Sequence, residues 1–369
     1  MQKYRNRILL GIFIALVIYI GLILLLDQEG QLIGRTLEAL STFPAGLLIL
    51  LVGTQLVVAL SRFMVWQYYL GVIDARDKIS VLDSAVIFVS SFVMVLSPGK
   101  AGELLKTVLL KLKTGTPVSQ SAPIVLAERV VDGLAVCITL VGALILASSR
   151  LALGDYLTFS QIFVFTTTAG LIFGLVAIQI RPLAQFCLDI IARIPLIRRL
   201  HPWLADFYES SREIFKLKYV IPATLRGLGV YIASSVGFVI ILSGLGFEVT
   251  PTLVLQAVFI NGVTTAIGAL SFVPNGAGIT EISTAAMLEA IVIPGSGGVI
   301  LGTASAAALL QGFFHKWFRV LLGMVVAVIF RNRLLSDELD TALEAAEQEH
   351  TNPGMVRVAT LETPMQRGN

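Results

Sequence analysis

Charge is scarce in this 369-residue chain: Asp, Glu, Lys and Arg make up 14% of it, where soluble domains carry about 25%. With 56% apolar residues, the chain has too little polar surface to face water on all sides. A net charge of +3 gives no argument for nucleic acid. Cysteine is limited to Cys137 and Cys187, too few for a disulfide framework or a zinc site, and both read as small buried hydrophobes. His201, His315 and His350 are too dispersed to hold zinc. The P-loop, GxSxG and HExxH motifs are missing, so nucleotide binding, serine hydrolysis and zinc proteolysis lack their usual residues. The expectation is a protein that is not an enzyme and uses no cofactor or metal.

What is present is a series of long apolar runs. Lys3, Arg5 and Arg7 precede Ile8–Leu26, a run of spanning length and longer than a signal-peptide core, so an uncleaved first span is expected. Further spans are expected at Pro44–Tyr68, Ala122–Ala147, Phe159–Ile180, Tyr219–Leu245 and Gln311–Phe330. Two regions are broken in the middle: Leu82–Leu112 at Ser97-Pro98-Gly99, and Thr252–Ile293 at Pro274-Asn275-Gly276. Each half reads as too short to cross, so each pair reads as a re-entrant hairpin, tolerated where protein or a wet cavity satisfies the freed backbone. Two complete crossings per region remain the alternative.

The breaks share a pattern. Pro98-Gly99-Lys100-Ala101-Gly102 is followed by Glu103, and Pro274-Asn275-Gly276-Ala277-Gly278 by Glu281. This points to an internal repeat. If the hairpins do not cross, Lys and Arg gather on one side, including Arg76, Lys78, Lys111, Lys113 and the 181–218 loop, whereas Arg35 and Arg150 alone lie opposite. That bias places both termini in the cytoplasm. The two hairpins then enter from opposite faces, as in transporters with inverted repeats and midplane sites. The expected architecture is all-α and polytopic, with about six spans and two inverted re-entrant hairpins over 1–335, and a cytoplasmic tail over 336–369. The Arg181–Lys218 loop is expected to lie on the lipid surface as short amphipathic helices.

Ionisable residues inside apolar runs are the candidate site. They are costly there and persist where they face protein, water or a ligand. Gly99 and Gly102 let a headgroup approach the backbone, and the half-helix after Pro98 turns free N–H groups toward an anion. Lys100 adds a positive charge there, and Glu103 and Lys106 can pair with each other. Glu128 and Asp132 lie four residues apart on one helical face, with Arg129 between them. A guanidinium fork matches phosphate, which makes Arg129 the leading phosphate partner. Around the second break, Asn275 and Asn261 offer polar contacts, and Glu281 complements the helix dipole. In the last span His315 and Arg319 share a face, the permanent cations Lys316 and Arg319 need acidic partners, and His315 alone reads as a core histidine, with Arg319 the more specific signal.

These segments, Ser97-Pro98-Gly99-Lys100-Ala101-Gly102-Glu103 with Lys106, Glu128-Arg129-Val130-Val131-Asp132, Pro274-Asn275-Gly276-Ala277-Gly278 with Glu281, and Arg319, resemble the lysylphosphatidylglycerol synthase transmembrane region family. The resemblance covers roughly residues 5–335 and implies a flippase-like membrane module. Fused members carry a soluble aminoacyl-transferase domain, which is not seen after residue 335, so lysine transfer is not implied. The expected function is translocation of a phospholipid or lipid-linked intermediate, anionic at its head, across a bacterial inner membrane. The alternatives are an integral-membrane enzyme acting on lipid heads and a non-transporting partner of a separate lipid-synthesis enzyme.

Overall fold

The computed structural model describes residues 32–96, 103–147, 156–182, 184–186, 201–271, 273, 276–293 and 301–334. The expected first span Ile8–Leu26, the break residues Pro98, Gly99, Lys100, Gly102, Pro274 and Asn275, and the tail 336–369 lie outside the described residues. The chain is an all-α polytopic membrane protein, and no strand occurs among the described residues. Its helices are α1 (Leu32–Ser41), α2 (Ala45–Val72), α3 (Val81–Ser90), α4 (Leu105–Thr114), α5 (Val118–Ala147) and α6 (Tyr156–Gln179), followed by α7 (His201–Ile214), α8 (Leu217–Gly244), α9 (Pro251–Leu270), α10 (Ile279–Met287), α11 (Leu301–Gly312) and α12 (Phe318–Ile329).

Five stretches are long and apolar enough to cross a membrane: α2, most of α5, α8, α9, and a continuous helical segment from Gly302 to Ile329. Their outer faces are apolar: Ile49 on α2 is 75% exposed and Ile329 on α12 is 67% exposed. Water would penalise such faces, and lipid does not.

Two lengths differ from the sequence pattern. The last span starts near Gly302, about nine residues before Gln311, because the Ala-rich α11 is less apolar than the run that follows it yet helical. The first arm of the second hairpin, α9, has 20 residues, about 30 Å of helix, enough to span. In the first hairpin both arms are short. The ten-residue α3 runs into a 3-10 turn at Ser91–Leu96, and α4 also has ten residues.

Local chemistry sets several ends. The Leu253 N–H donates to the Thr250 hydroxyl over 3.1 Å, and Pro251 takes the first turn of α9, where its missing N–H costs nothing. α4 stops at Gly115, whose φ of 72° is left-handed, a C-terminal position that favours glycine.

The order of elements repeats. In the first unit, α2 is followed by the short-helix pair α3–α4 and then α5. In the second, α8 is followed by α9–α10 and then α11–α12. The packing is reciprocal: α2 crosses α8, α5 packs on α9, and α12 packs on α3 and its 3-10 extension. The α2–α8 crossing is close because small residues meet there. A Cβ on Gly237 would lie 2.9 Å from Thr54 Oγ1, so the two backbones approach as small-residue interfaces allow.

Gly323 has the same role where α12 meets the first hairpin. A Cβ there would sit 2.8 Å from the Val89 carbonyl oxygen and 3.1 Å from the Val93 nitrogen. Backbone cannot step aside as a side chain does, so Gly323→Ala is expected to destabilise the protein by about 1–3 kcal/mol. Gly142→Ala, with nothing within 4 Å of its Cβ, should leave stability unchanged or slightly raised. Thermal unfolding of both variants in detergent checks the contrast.

Candidate functional site: a charged cavity between the two repeats

A cavity of about 490 Å³ lies where the two units meet, and both contribute charged side chains to its wall. Arg62 comes from α2, Glu103 and Lys106 from the first hairpin, and Glu128, Arg129 and Asp132 from α5. His315, Lys316 and Arg319 come from the last span. The sequence reading thus named residues that are far apart in the chain and that the fold brings to one place.

On one wall the charges form a chain. Arg62 Nη1 donates to both Asp132 oxygens, at 3.1 and 2.9 Å. Arg129 reaches Asp132 at 3.1 Å and Glu103 at 3.2 Å. Arg129, the expected phosphate partner, is therefore already engaged by two carboxylates. Lys106 and Glu128 form a second pair, both buried. The Lys106 ammonium also lies 4.8 Å from the centre of the Trp66 ring and 5.5 Å from that of Phe88, positions where ring quadrupoles attract a cation. Trp66 is held by its Nε1–H, which donates to Ser84 Oγ over 3.0 Å.

On the opposite wall, Lys316 donates to the Glu281 carboxylate at 2.8 and 2.9 Å and to the Gly276 carbonyl at 3.1 Å, and it also bonds the Thr280 hydroxyl. Glu281 accepts from the Gly278 N–H at 2.8 Å. It therefore caps the half-helix after the second break, as its position predicts, while also neutralising Lys316. Gly276, at φ 63°, turns its carbonyl into this cluster in a conformation that favours glycine. Gly312 makes room, since a Cβ there would meet the Glu281 carboxylate.

Lys316 and His315 sit in a single π-helical turn, Phe313–Trp317. The extra residue of such a turn re-aims side chains, and π turns recur at functional sites. His315 turns toward α8, where the Ser234 hydroxyl lies 3.1 Å from Nδ1. Ser234 Oγ and Gln311 Nε2 both donate to Asn261 Oδ1, at 3.2 and 2.9 Å. Asn261, singled out in the sequence for its polar group near the break, is the hub of a buried neutral network.

Arg319 differs from the other cavity cations. Its Nε donates to the His315 carbonyl over 2.6 Å, and among the described residues it makes no ion pair. Arg62 is the residue that the sequence reading missed. An arginine inside an apolar run was the available signal, but Arg62 belongs to neither break and to no dense charge cluster. No group of acidic, His or Cys side chains able to hold a metal occurs among the described residues.

Breaking one buried pair leaves its partner uncompensated, at a typical cost of 3–5 kcal/mol. Lys106→Met is therefore expected to destabilise strongly, with the buried Glu128 carboxylate stranded. The double variant Lys106→Met with Glu128→Gln should recover a large part of that loss. Unfolding midpoints of the two variants in one detergent measure it; equal losses in single and double variants would refute the pairing.

No curated protein and no solved structure is detectably similar to the chain. Its match is to a family described as the lysylphosphatidylglycerol synthase TM region, over residues 9–323, a stretch that contains both hairpins, the α5 charge cluster and Arg319. The chain belongs to the lysylphosphatidylglycerol synthase transmembrane region family.

Proposed function

We propose that this protein translocates a lipid with an anionic head across a bacterial inner membrane, the head passing through the cavity between the two repeats. The observation that carries this reading is Arg319: a guanidinium on the cavity wall with no carboxylate paired to it among the described residues. An arginine in apolar surroundings is costly without a counter-charge, and its planar donors suit phosphate oxygens. The cavity volume lies in the range of small-ligand sites. The family membership supports lipid handling as the general task.

In this reading both termini face the cytoplasm, the two hairpins enter from opposite faces, and residues beside the breaks, Glu103, Lys106 and Gly276, line the path. The lipid leaves unchanged, so the chain needs no nucleophile, cofactor or metal. The neutral Asn261 network and the paired charges hold the walls while the acyl chains remain in the bilayer. A separate lipid-modifying enzyme is the partner this arrangement would serve.

Proteoliposomes carrying tail-labelled lipids test the proposal. Purified wild-type protein should expose inner-leaflet phosphatidylglycerol to an external quencher faster than empty vesicles do. A charge-assisted hydrogen bond contributes about 1.5–3 kcal/mol, so Arg319→Gln should slow the movement at least about tenfold. Well-folded wild-type protein that moves no lipid would overturn the reading.

A further inference from the structure

The second break ends in a cluster of oxygens gathered around one cation. Gly276 turns its carbonyl inward at φ 63°. The Thr280 hydroxyl lies 3.1 Å from that carbonyl and 2.9 Å from Glu281 Oε2. Lys316 Nζ sits among them, 2.8 and 2.9 Å from the two Glu281 oxygens, 3.1 Å from the Gly276 carbonyl, and bonded to the Thr280 hydroxyl. An ammonium has three N–H donors, yet four oxygens surround this one. They are placed around the charge as ligands are around an ion, not one to each proton.

All four oxygens come from one turn of chain, 276–281, and that turn is braced from within. Glu281 also accepts from the Gly278 N–H at 2.8 Å, and the turn packs closely on α9, where a Cβ on Gly276 would lie 2.9 Å from the Gly268 Cα. From Ser271 to Glu281 the sequence holds a single ionisable residue, Glu281, so the turn carries one negative charge and matches a monovalent cation. Distances of 2.8–3.1 Å exceed the about 2.3–2.6 Å of calcium sites, which also take more ligands. Protein oxygens replace the hydration shell of potassium in a comparable way in channel filters. The cluster is within reach of solvent-sized ions. Gly276, Thr280 and Lys316 line the large cavity, and Thr280, Glu281 and Lys316 line a second cavity of about 40 Å³, roomy enough for water.

We propose that the tip of the second hairpin is a monovalent-cation site whose tethered occupant is the Lys316 ammonium, and that it takes a potassium or ammonium ion from solution once that ammonium is removed. Lys316 is then a positioning residue, which holds the hairpin tip against the last span by filling the site. The proposal stands apart from the translocation reading, because it concerns what closes the tip and not what the large cavity carries.

Thermal unfolding of the full chain in detergent tests it. Wild type should unfold at the same temperature in ammonium, potassium and choline chloride of equal ionic strength. Lys316→Ala should unfold earlier in choline chloride, whose quaternary ammonium is too bulky for the site. Potassium or ammonium should then raise the variant's folded-to-unfolded ratio saturably, by about tenfold at ten times the ion's dissociation constant. Adding Glu281→Gln to Lys316→Ala should abolish that response. Lys316→Ala protein equally stable in all three salts would overturn the proposal. So would a response shared by wild type, a response that survives Glu281→Gln, or a Lys316→Ala chain that folds in none of the salts.

Discussion

A charge taken out of water without a partner costs several kcal/mol, and that penalty organises the interior of this protein. Several of the helices that reach the cavity are tied to one another by ion pairs there. Asp132 holds α2 through Arg62, Glu128 holds α4 through Lys106, and Glu281 links the second hairpin to the last span through Lys316. In lipid the hydrophobic effect does not draw helices together, so packing and polar contacts between them must do so. The close α2–α8 crossing through Gly237 and the charge pairs are thus complementary devices. One supplies contact area, and the other fixes which helix lies beside which.

The apolar runs made the all-α membrane class readable from sequence, because few ways of burying such runs exist. The two breaks and the α5 charge cluster were equally readable, since glycine, proline and charge are rare in apolar surroundings and therefore conspicuous. Partner choice was not. Arg62 and Asp132 are 70 residues apart, and nothing local says that they meet. The early start of the last span was hidden in α11, where four alanines favour helix while Gly, Thr, Ser and Gln dilute the apolar run. The π turn at Phe313–Trp317 was hidden too. It depends on how Lys316 is pulled toward Glu281 and His315 toward Ser234, and those are tertiary contacts.

The repeat explains why a cavity exists at all. Each unit ends in a long helix that packs on the other unit's hairpin, α5 on α9 and α12 on α3. Such reciprocal packing closes around a shared centre, and the short helices at the breaks cannot fill it. The walls are then lined by whatever the hairpins and final helices carry at that depth.

The two hairpin pairs have opposite polarity. In the first unit the hairpin supplies the cation, Lys106, and the following helix the carboxylate, Glu128. In the second the hairpin supplies the carboxylate, Glu281, and the last span the cation, Lys316. Each pair is neutral in itself, so movement of either hairpin with its partner leaves the charge of the cavity unaltered. The attraction for an anion is thereby separated from the contacts that hold the walls. It rests on Arg319, one helical turn beyond His315 and three residues beyond Lys316 on the same span. In the proposed translocation, rearrangement of the walls and retention of the ligand would then be governed by different residues.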